Sequence, residues 1–221
     1  MENHYWPLFD LRIRTARLEI RLPTDEDLEV LARVAHKGVH DPATMPFLKP
    51  WTDEPSPLLE RGLLQWAWRH RAEWTPRKWT FNGAAVVDGN LVGVQDIGAE
   101  NFATSRSVKT GSWLGREHQG QGIGKEMRAA MLYFAFVGLG ALEANSGGFA
   151  DNMPSMTVSR SAGYEEYGSE TVMRRGVHAE HIMFRLDRST WETLEHVAVD
   201  IEGLDTCLDL FVASPEPSTL T

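Results

Sequence analysis

The sequence predicts an α+β fold. Three observations carry that reading: apolar spacing that switches along the chain between a period of two and one of about 3.6, a hairpin signal joining two strands in mid-chain, and a composition able to fill one core. With 221 residues, 42% of them hydrophobic and 24% charged, the chain is one large domain or one domain with an appendage.

Leu18, Ile20 and Leu22 alternate with Arg17, Glu19 and Arg21, the pattern of a strand with one wet face that ends near Leu22. Thr24 before Asp25, Glu26 and Asp27 reads as a helix cap with first-turn carboxylates, and Leu28, Leu31, Val34 and Ala35 carry that helix on with its apolar side inward. Residues 41–57 hold five prolines and are neither helix nor central strand; a loop this long is usually functional or mobile. A second helix is expected from Leu58 to about Glu73, then a strand from Lys78 to Val87, a turn at Asp88-Gly89 and a strand from Leu91 to Ile97. Ser107 to Leu114 is the next strand. After a glycine-rich turn, Gly122 to Leu139 reads as a long helix with Ile123, Met127, Met131 and Phe134 on one face. A strand from Leu142 to Phe149, a helix from Met153 to Ser161 ended by Gly163, and a strand pair from Tyr164 to Val177 and Ala179 to Leu186 complete the pattern. Residues 1–190 are read as the domain, and 191–221 as an acidic C-terminal extension whose PEPST end should be a disordered tail.

A formal charge of −9 argues against nucleic acid as a partner, because affinity for a phosphate backbone needs clustered Lys and Arg. An acidic chain attracts amines, and the same charge also serves solubility. The longest nearly unbroken apolar run, Ala129 to Leu142, is shorter than the about 20 residues a membrane helix needs, so no membrane segment is expected. Arginines and carboxylates stand at the amino terminus where a secretory signal would be apolar, and the single Cys207 excludes an internal disulfide; both suggest the cytoplasm. Cys207 itself reads as a packed thiol.

The turn Gly115-Arg116-Glu117-His118-Gln119-Gly120-Gln121-Gly122-Ile123-Gly124-Lys125 joins a strand to the long helix. Glycines at alternate positions leave the backbone N–H groups uncovered, and the unpaired amides of the first helical turn point the same way, which makes an anion site suited to a diphosphate. A Walker loop is excluded because Glu126 follows Lys125 where Ser or Thr should hold magnesium. The dinucleotide fingerprint is excluded because Lys125 stands where its third glycine belongs.

Gln119-Gly120-Gln121-Gly122-Ile123-Gly124 resembles the Q/R-x-x-G-x-G/A signature of the Gcn5-related N-acetyltransferases, the GNAT superfamily, and the order of elements is similar to theirs over about residues 10–187. Thr15-Ala16-Arg17-Leu18, Gly111-Ser112-Trp113-Leu114-Gly115, and Asn152 with Ser155 before Gly163-Tyr164 resemble the ribosomal-protein alanine acetyltransferase branch. The resemblance implies a mixed, mostly antiparallel sheet of six to seven strands flanked by helices, splayed between the Ser107 and Leu142 strands. It implies acetyl-CoA or succinyl-CoA as acyl donor, with no metal. Trp113 and Leu114 would bind pantetheine through their backbone, the turn from Gln119 through Gly120, Gln121, Gly122, Ile123 and Gly124 to Lys125 would hold the diphosphate, and Asn152 and Ser155 would sit near the thioester sulfur. Many members have Arg where this chain has Gln119.

Acyl transfer to an amine has a chemical requirement of its own. An alkylamine of pKa near 10.4 is protonated at neutral pH, a penalty of about 4–5 kcal/mol, so a group must remove a proton. Asp96, near the end of its strand, and Glu100, in the following loop, are the candidate bases, and the commoner use of such a residue is as a solvated edge carboxylate. By resemblance Ser155 protonates the departing thiolate. His118 reads as a phosphate or surface contact. Six tryptophans fall between the proline-rich loop and the cofactor strand, and Trp51, in the loop, is the candidate to face the substrate. His178 and His181 point to opposite sides of a strand, so no zinc site is expected. The function expected is N-acylation of an amine on a small molecule or protein N-terminus; a homodimer is compatible with the chain. The competing reading is a non-catalytic acyl-CoA-binding sensor or recruitment module.

Overall fold

The computed structural model describes residues 3–212. Its elements in chain order are β1 (Arg12–Arg14), β2 (Leu18–Arg21), α1 (Asp25–His36), α2 (Leu58–Ala72), β3 (Lys78–Val87), β4 (Asn90–Glu100), α3 (Phe102–Ser105), β5 (Ser107–Leu114), α4 (Ile123–Tyr133), β6 (Glu143–Phe149), α5 (Met153–Ser161), β7 (Glu165–Arg174), β8 (Val177–Asp187), α6 (Arg188–Trp191) and β9 (Asp200–Glu202). Local chemistry sets several of these bounds. Thr24 Oγ1 accepts from the Asp27 N–H while Asp27 accepts from the Thr24 N–H, a reciprocal cap that starts α1. Asp88 and Gly89 both have positive φ, as the tight turn between β3 and β4 requires.

One sheet contains all the described strands, in the order β7-β8-β6-β5-β4-β3-β2-β1-β9, antiparallel everywhere except between β5 and β6. The six to seven strands expected become nine because β1 and β9 join one edge. At three residues each they are too short to show a periodicity, and pairing holds them, with Ile13 of β1 between Ile20 and Ile201. A second departure lies after α4, where the helix expected to reach Leu139 ends as α-helix at Tyr133. Phe134–Gly138 form a wider π turn in which the Leu139 N–H reaches Phe134 O at 2.9 Å. That turn buries Phe134, Ala135 and Phe136 together, which the spacing of an α-helix would not do.

Two apolar layers sandwich the sheet. On one face, Leu28 and Leu31 of α1 and Leu59 and Leu63 of α2 pack on Ala84 and Val94. On the other, Met127 and Met131 of α4 and Met156 of α5 pack with Ile20, Phe81 and Ile97. The C-terminal segment joins this second layer: Cys207 and Phe211 are fully buried, and burial pushes the Cys207 thiol up to about 12. The PEPST tail lies outside the described residues. Among the described residues no helix is long and apolar enough to cross a membrane.

The proline-rich loop gains its order from a distant part of the chain. The β7–β8 turn reaches over it: Arg175 donates from Nε to Asp53 at 2.7 Å and from Nη1 to Pro42 O at 3.0 Å. Arg174 donates to Met45 O at 3.1 Å and to Asp151 at 2.7 Å. The loop is thereby held against the mouth of the sheet's opening.

Candidate active site

The only parallel ladder among the described residues is short. β5 and β6 pair from Ser107 opposite Glu143 to Lys109 opposite Asn145, and then separate. At the point of parting, Thr110 Oγ1 donates to Asn145 O at 3.3 Å and Ser146 Oγ to Thr110 O at 3.4 Å. Arg128 reaches in from α4 and donates to Ser146 Oγ at 3.0 Å. Beyond Lys109, the edge of β5 that faces β6 has no strand partner among the described residues; Thr110 O, Gly111 O and Leu114 O accept from the side chains of Ser146, Gln95 and Gln119, and the rest of β5 can meet the amides of a ligand. A cleft of about 970 Å³ opens there and runs from the glycine-rich turn, through the split, to the proline-rich loop. That is the upper range of small-molecule sites.

At one end of the cleft the turn has the form an anion needs. Gly120 and Gly122 adopt positive φ, a conformation a β-branched residue would strain to reach, and Gly122 caps α4 without a side-chain bond, so the amides of Ile123 and Gly124 stay open while the Lys125 N–H donates to Gly122 O at 3.2 Å. Gln119 and Gly124 line the cleft itself. The Gln119 side chain is engaged elsewhere: its Nε2 donates to Val39 O at 2.6 Å and Leu114 O at 2.9 Å, tying the turn to the end of α1 and to β5. Gln121 likewise bonds back to Glu117 O at 2.9 Å. Arg17, from the Thr15-Ala16-Arg17-Leu18 motif, also reaches the turn. Its guanidinium pairs with Glu126 and lies 3.3 Å from Gln121 O, tying the turn to the start of β2.

In the middle of the cleft stand Trp113 and Leu114 on β5, Asn152 and Ser155 at the start of α5, and Asp96 on β4. Asn152 is the cap of α5, its Oδ1 accepting from the Ser155 N–H at 3.3 Å. That bond fixes Ser155, whose hydroxyl fits because position 148 is glycine: a Cβ there would fall 3.1 Å from Ser155 Oγ. Asp96 fits by a similar allowance, since a Cβ on Gly111 would lie 2.9 Å from its Oδ1. Burial pushes the Asp96 carboxyl above its ordinary range, and the Arg128 guanidinium and a hydrogen bond from the Gly111 backbone oppose the shift without cancelling it. Glu100 is not part of this group. It ends β4 opposite Lys78, exposed and away from the cleft, which leaves Asp96 as the one of the two expected carboxylates that faces the opening.

The far end of the cleft is aromatic. Phe47 and Trp51 of the proline-rich loop lie with ring centroids 5.3 Å apart, and Trp51 lies 5.8 Å from Trp113. Trp66 of α2 also lines the cleft, whereas Trp74 and Trp79 are packed in the opposite layer and Trp68 is exposed. Two further polar residues that no sequence motif marks line it as well: Arg128, 3% exposed with its Nε unpartnered, and His181, 7% exposed. Arg128 follows Gly124 by one helical turn, a spacing that puts both on one face. Among the described residues no three His, Cys, Asp or Glu side chains come together as a metal site.

Several solved structures share this architecture. It is similar to the RimJ protein of Mycobacterium smegmatis in complex with CoA-disulfide, at 19% identity and a TM-score of 0.67, over 91% of this chain and 95% of that one. It is similar to RimL, a ribosomal L7/L12 alpha-N-protein acetyltransferase in complex with coenzyme A, at 16% identity and a TM-score of 0.60, over 78% of this chain and 95% of that one. A spermidine N-acetyltransferase chimera of Vibrio cholerae SpeG and hSSAT matches at 17% identity and a TM-score of 0.64, over 81% of this chain and all of that one. The family model of the acetyltransferase (GNAT) domain, a family that uses acetyl-CoA, matches residues 17–165, two thirds of the chain. With that match over the split sheet and its glycine-rich turn, the chain belongs to the acetyltransferase (GNAT) domain family.

Proposed function

We propose that this protein transfers an acetyl group from acetyl-CoA to a primary amine by direct attack within a ternary complex. The observation that carries the reading is the continuity of one cleft between an anion-binding turn, an unpaired strand edge and an aromatic pocket. The diphosphate would lie against the amides from Gln121 to Gly124, and pantetheine would extend β5 at Trp113 and Leu114 as an added strand. This seats the thioester in the split, with Ser155 on the α5 side to protonate the thiolate.

Asp96 serves the amine. A carboxylate whose proton affinity is raised by burial attracts an ammonium ion and accepts a proton from it nearer neutral pH than an ordinary aspartate does. Trp51 and Trp113 supply ring faces for the rest of the acceptor, in line with a cation held by aromatic rings. RimL acts on a ribosomal protein and SpeG on spermidine, so protein N-termini and polyamines are the acceptor classes to try first.

Arg128 favours a second reading of the donor. A buried guanidinium with a free Nε beside the split can hold the terminal carboxylate of a succinyl group, which an acetyl group lacks. Thiol release from acetyl-CoA and succinyl-CoA, each with a panel of small amines and N-terminal peptides, tests both. Acceptor-dependent release from acetyl-CoA is the expected result, and faster release from succinyl-CoA would establish the second donor. Tight acyl-CoA binding with no release by any acceptor would make the protein a sensor instead.

A further inference from the structure

His181 lies between two neighbours in the sheet, opposite Glu170 of β7 on one side and Phe149 of β6 on the other. Its ring rests against the backbone of β6 at Gly147, where a Cβ would fall 2.5 Å from Cε1 and 2.9 Å from Nε2, so the imidazole occupies the space a side chain would take. Nδ1 is sealed from solvent and makes no hydrogen bond among the described residues; Glu170 Oε1, 3.4 Å away, is its only charged neighbour within ion-pair range there, close enough for a small side-chain movement to bring the two into a hydrogen bond. Nε2 makes no hydrogen bond among the described residues and opens on the cleft that His181 lines. The result is a carboxylate, an imidazole and an open cleft in sequence, the order by which a carboxylate orients a histidine as a proton acceptor.

Strand alternation decides which reactant this histidine meets. Gly147 and Gly148 are consecutive on β6 and face opposite sides, His181 covering the first and Ser155 the second. Ser155 stands with α5. His181 shares its side with Phe149, whose ring carries the Arg174 guanidinium that holds the proline-rich loop. Asp96, two residues from Val94 on β4, is on that side too, with the layer of α1 and α2. The sulfur and the amine therefore have proton-handling groups on opposite sides of the sheet.

We propose that His181 accepts the second of the two protons an ammonium substrate must lose, with Glu170 as the positioning carboxylate. The inference rests on the acyltransferase reading above. Asp96 takes the first proton and frees the lone pair. The amine nitrogen then bonds to the thioester carbon, whose carbonyl π pair moves to oxygen. His181 Nε2 takes one proton from the nitrogen of the adduct, and Glu170 stabilises the imidazolium through Nδ1–H. The oxygen pair returns, the C–S bond breaks, and the thiolate takes its proton from Ser155, which regains one from water; Asp96 and His181 give theirs to water. Glu170 from β7 is the charged group beside His181; Asp151, Asp96 from β4, Lys109 from β5 and Arg128 from α4 line the same cleft, and Arg174 pairs with Asp151 at its mouth.

The test uses the full chain with an acyl-CoA donor and an acceptor it turns over. His181→Gln should lower kcat by about 100-fold, the low end for loss of a general base, with the acceptor KM held, and should change the shape of the pH–rate profile. Its affinity for acyl-CoA in calorimetry should stay within about twofold, because His181 lies off the donor's side. Glu170→Gln, a change at a half-exposed carboxylate, should lower kcat by about tenfold with the acceptor KM held, and it decides the matter alone if the histidine variant does not fold. Wild-type kcat and an unchanged pH–rate profile in the variant that folds would overturn the proposal. Failure of the wild-type protein to bind acyl-CoA at all would overturn the acyltransferase reading and this inference with it.

Discussion

Two groups of tryptophans lie on opposite layers of the same sheet and do different work. Trp74 and Trp79 are buried and stack with centroids 5.9 Å apart, and their indole N–H groups donate at 2.8 Å to Leu210 O and Phe211 O. Phe211 sits edge-on to both, and the C-terminal segment closes over them. Trp51, Trp66 and Trp113 line the cleft, half-buried, and their indole N–H groups bond to nothing among the described residues. Residues of one type serve stability where their polar atoms are satisfied internally and recognition where they are left available.

Substitutions can break or sharpen that contrast. The largest effect expected is on stability: Phe211→Ala removes the ring shared by Trp74, Trp79, Phe81 and Phe134, and should cost about 3–5 kcal/mol in urea unfolding while folded protein keeps kcat within about twofold. A variant as stable as wild type would mean the C-terminal segment is not part of the core. Asp96→Asn should act in the opposite sense. Folding raises the proton affinity of Asp96, so wild-type stability falls as pH rises from the ordinary carboxylate range, near about 3.9, through the higher native value. The asparagine is exempt from that loss. It should therefore unfold at a higher temperature than wild type at pH 8 and not at pH 3, with kcat lower by about 100-fold. Lower stability at pH 8 would show that the carboxylate contributes more through Arg128 than burial removes. Smallest is Trp51→Ala, expected to raise the acceptor KM about fivefold while moving urea stability by less than about 1 kcal/mol, since a half-exposed ring contributes little to the core. An unchanged KM for every acceptor would confine Trp51 to holding the loop.

Elements governed by near neighbours are legible in the amino-acid sequence. Lys78–Val87, Ser107–Leu114 and Met153–Ser161 stand where spacing and flanking turns place them, and Thr24 and Asp88-Gly89 start α1 and turn β3 into β4 as their chemistry requires. Within the site, Asp96, Trp113, Ser155 and Gly124 do meet in one cleft. Glu100 does not: carboxylates four residues apart on a strand share a face, and what separates these two is where β5 leaves β6, since Asp96 lies opposite Gly111, past the parting, and Glu100 lies at the end where the two strands are still paired. The engagement of Gln119 with Val39 and Leu114 is not legible either, since its acceptors belong to two other parts of the chain.

The sequence by itself determined the order of helices and strands and the glycine-rich turn with its open amides. These follow from capping, turn conformation and apolar period, all decided within a few residues. Tertiary structure alone decided that β5 and β6 part after three pairs, that Arg128 enters the gap, that Glu170 stands beside His181, and that Phe211 seals the opposite layer. Each of these depends on which segments pack together across large separations in the chain, and periodicity does not record that.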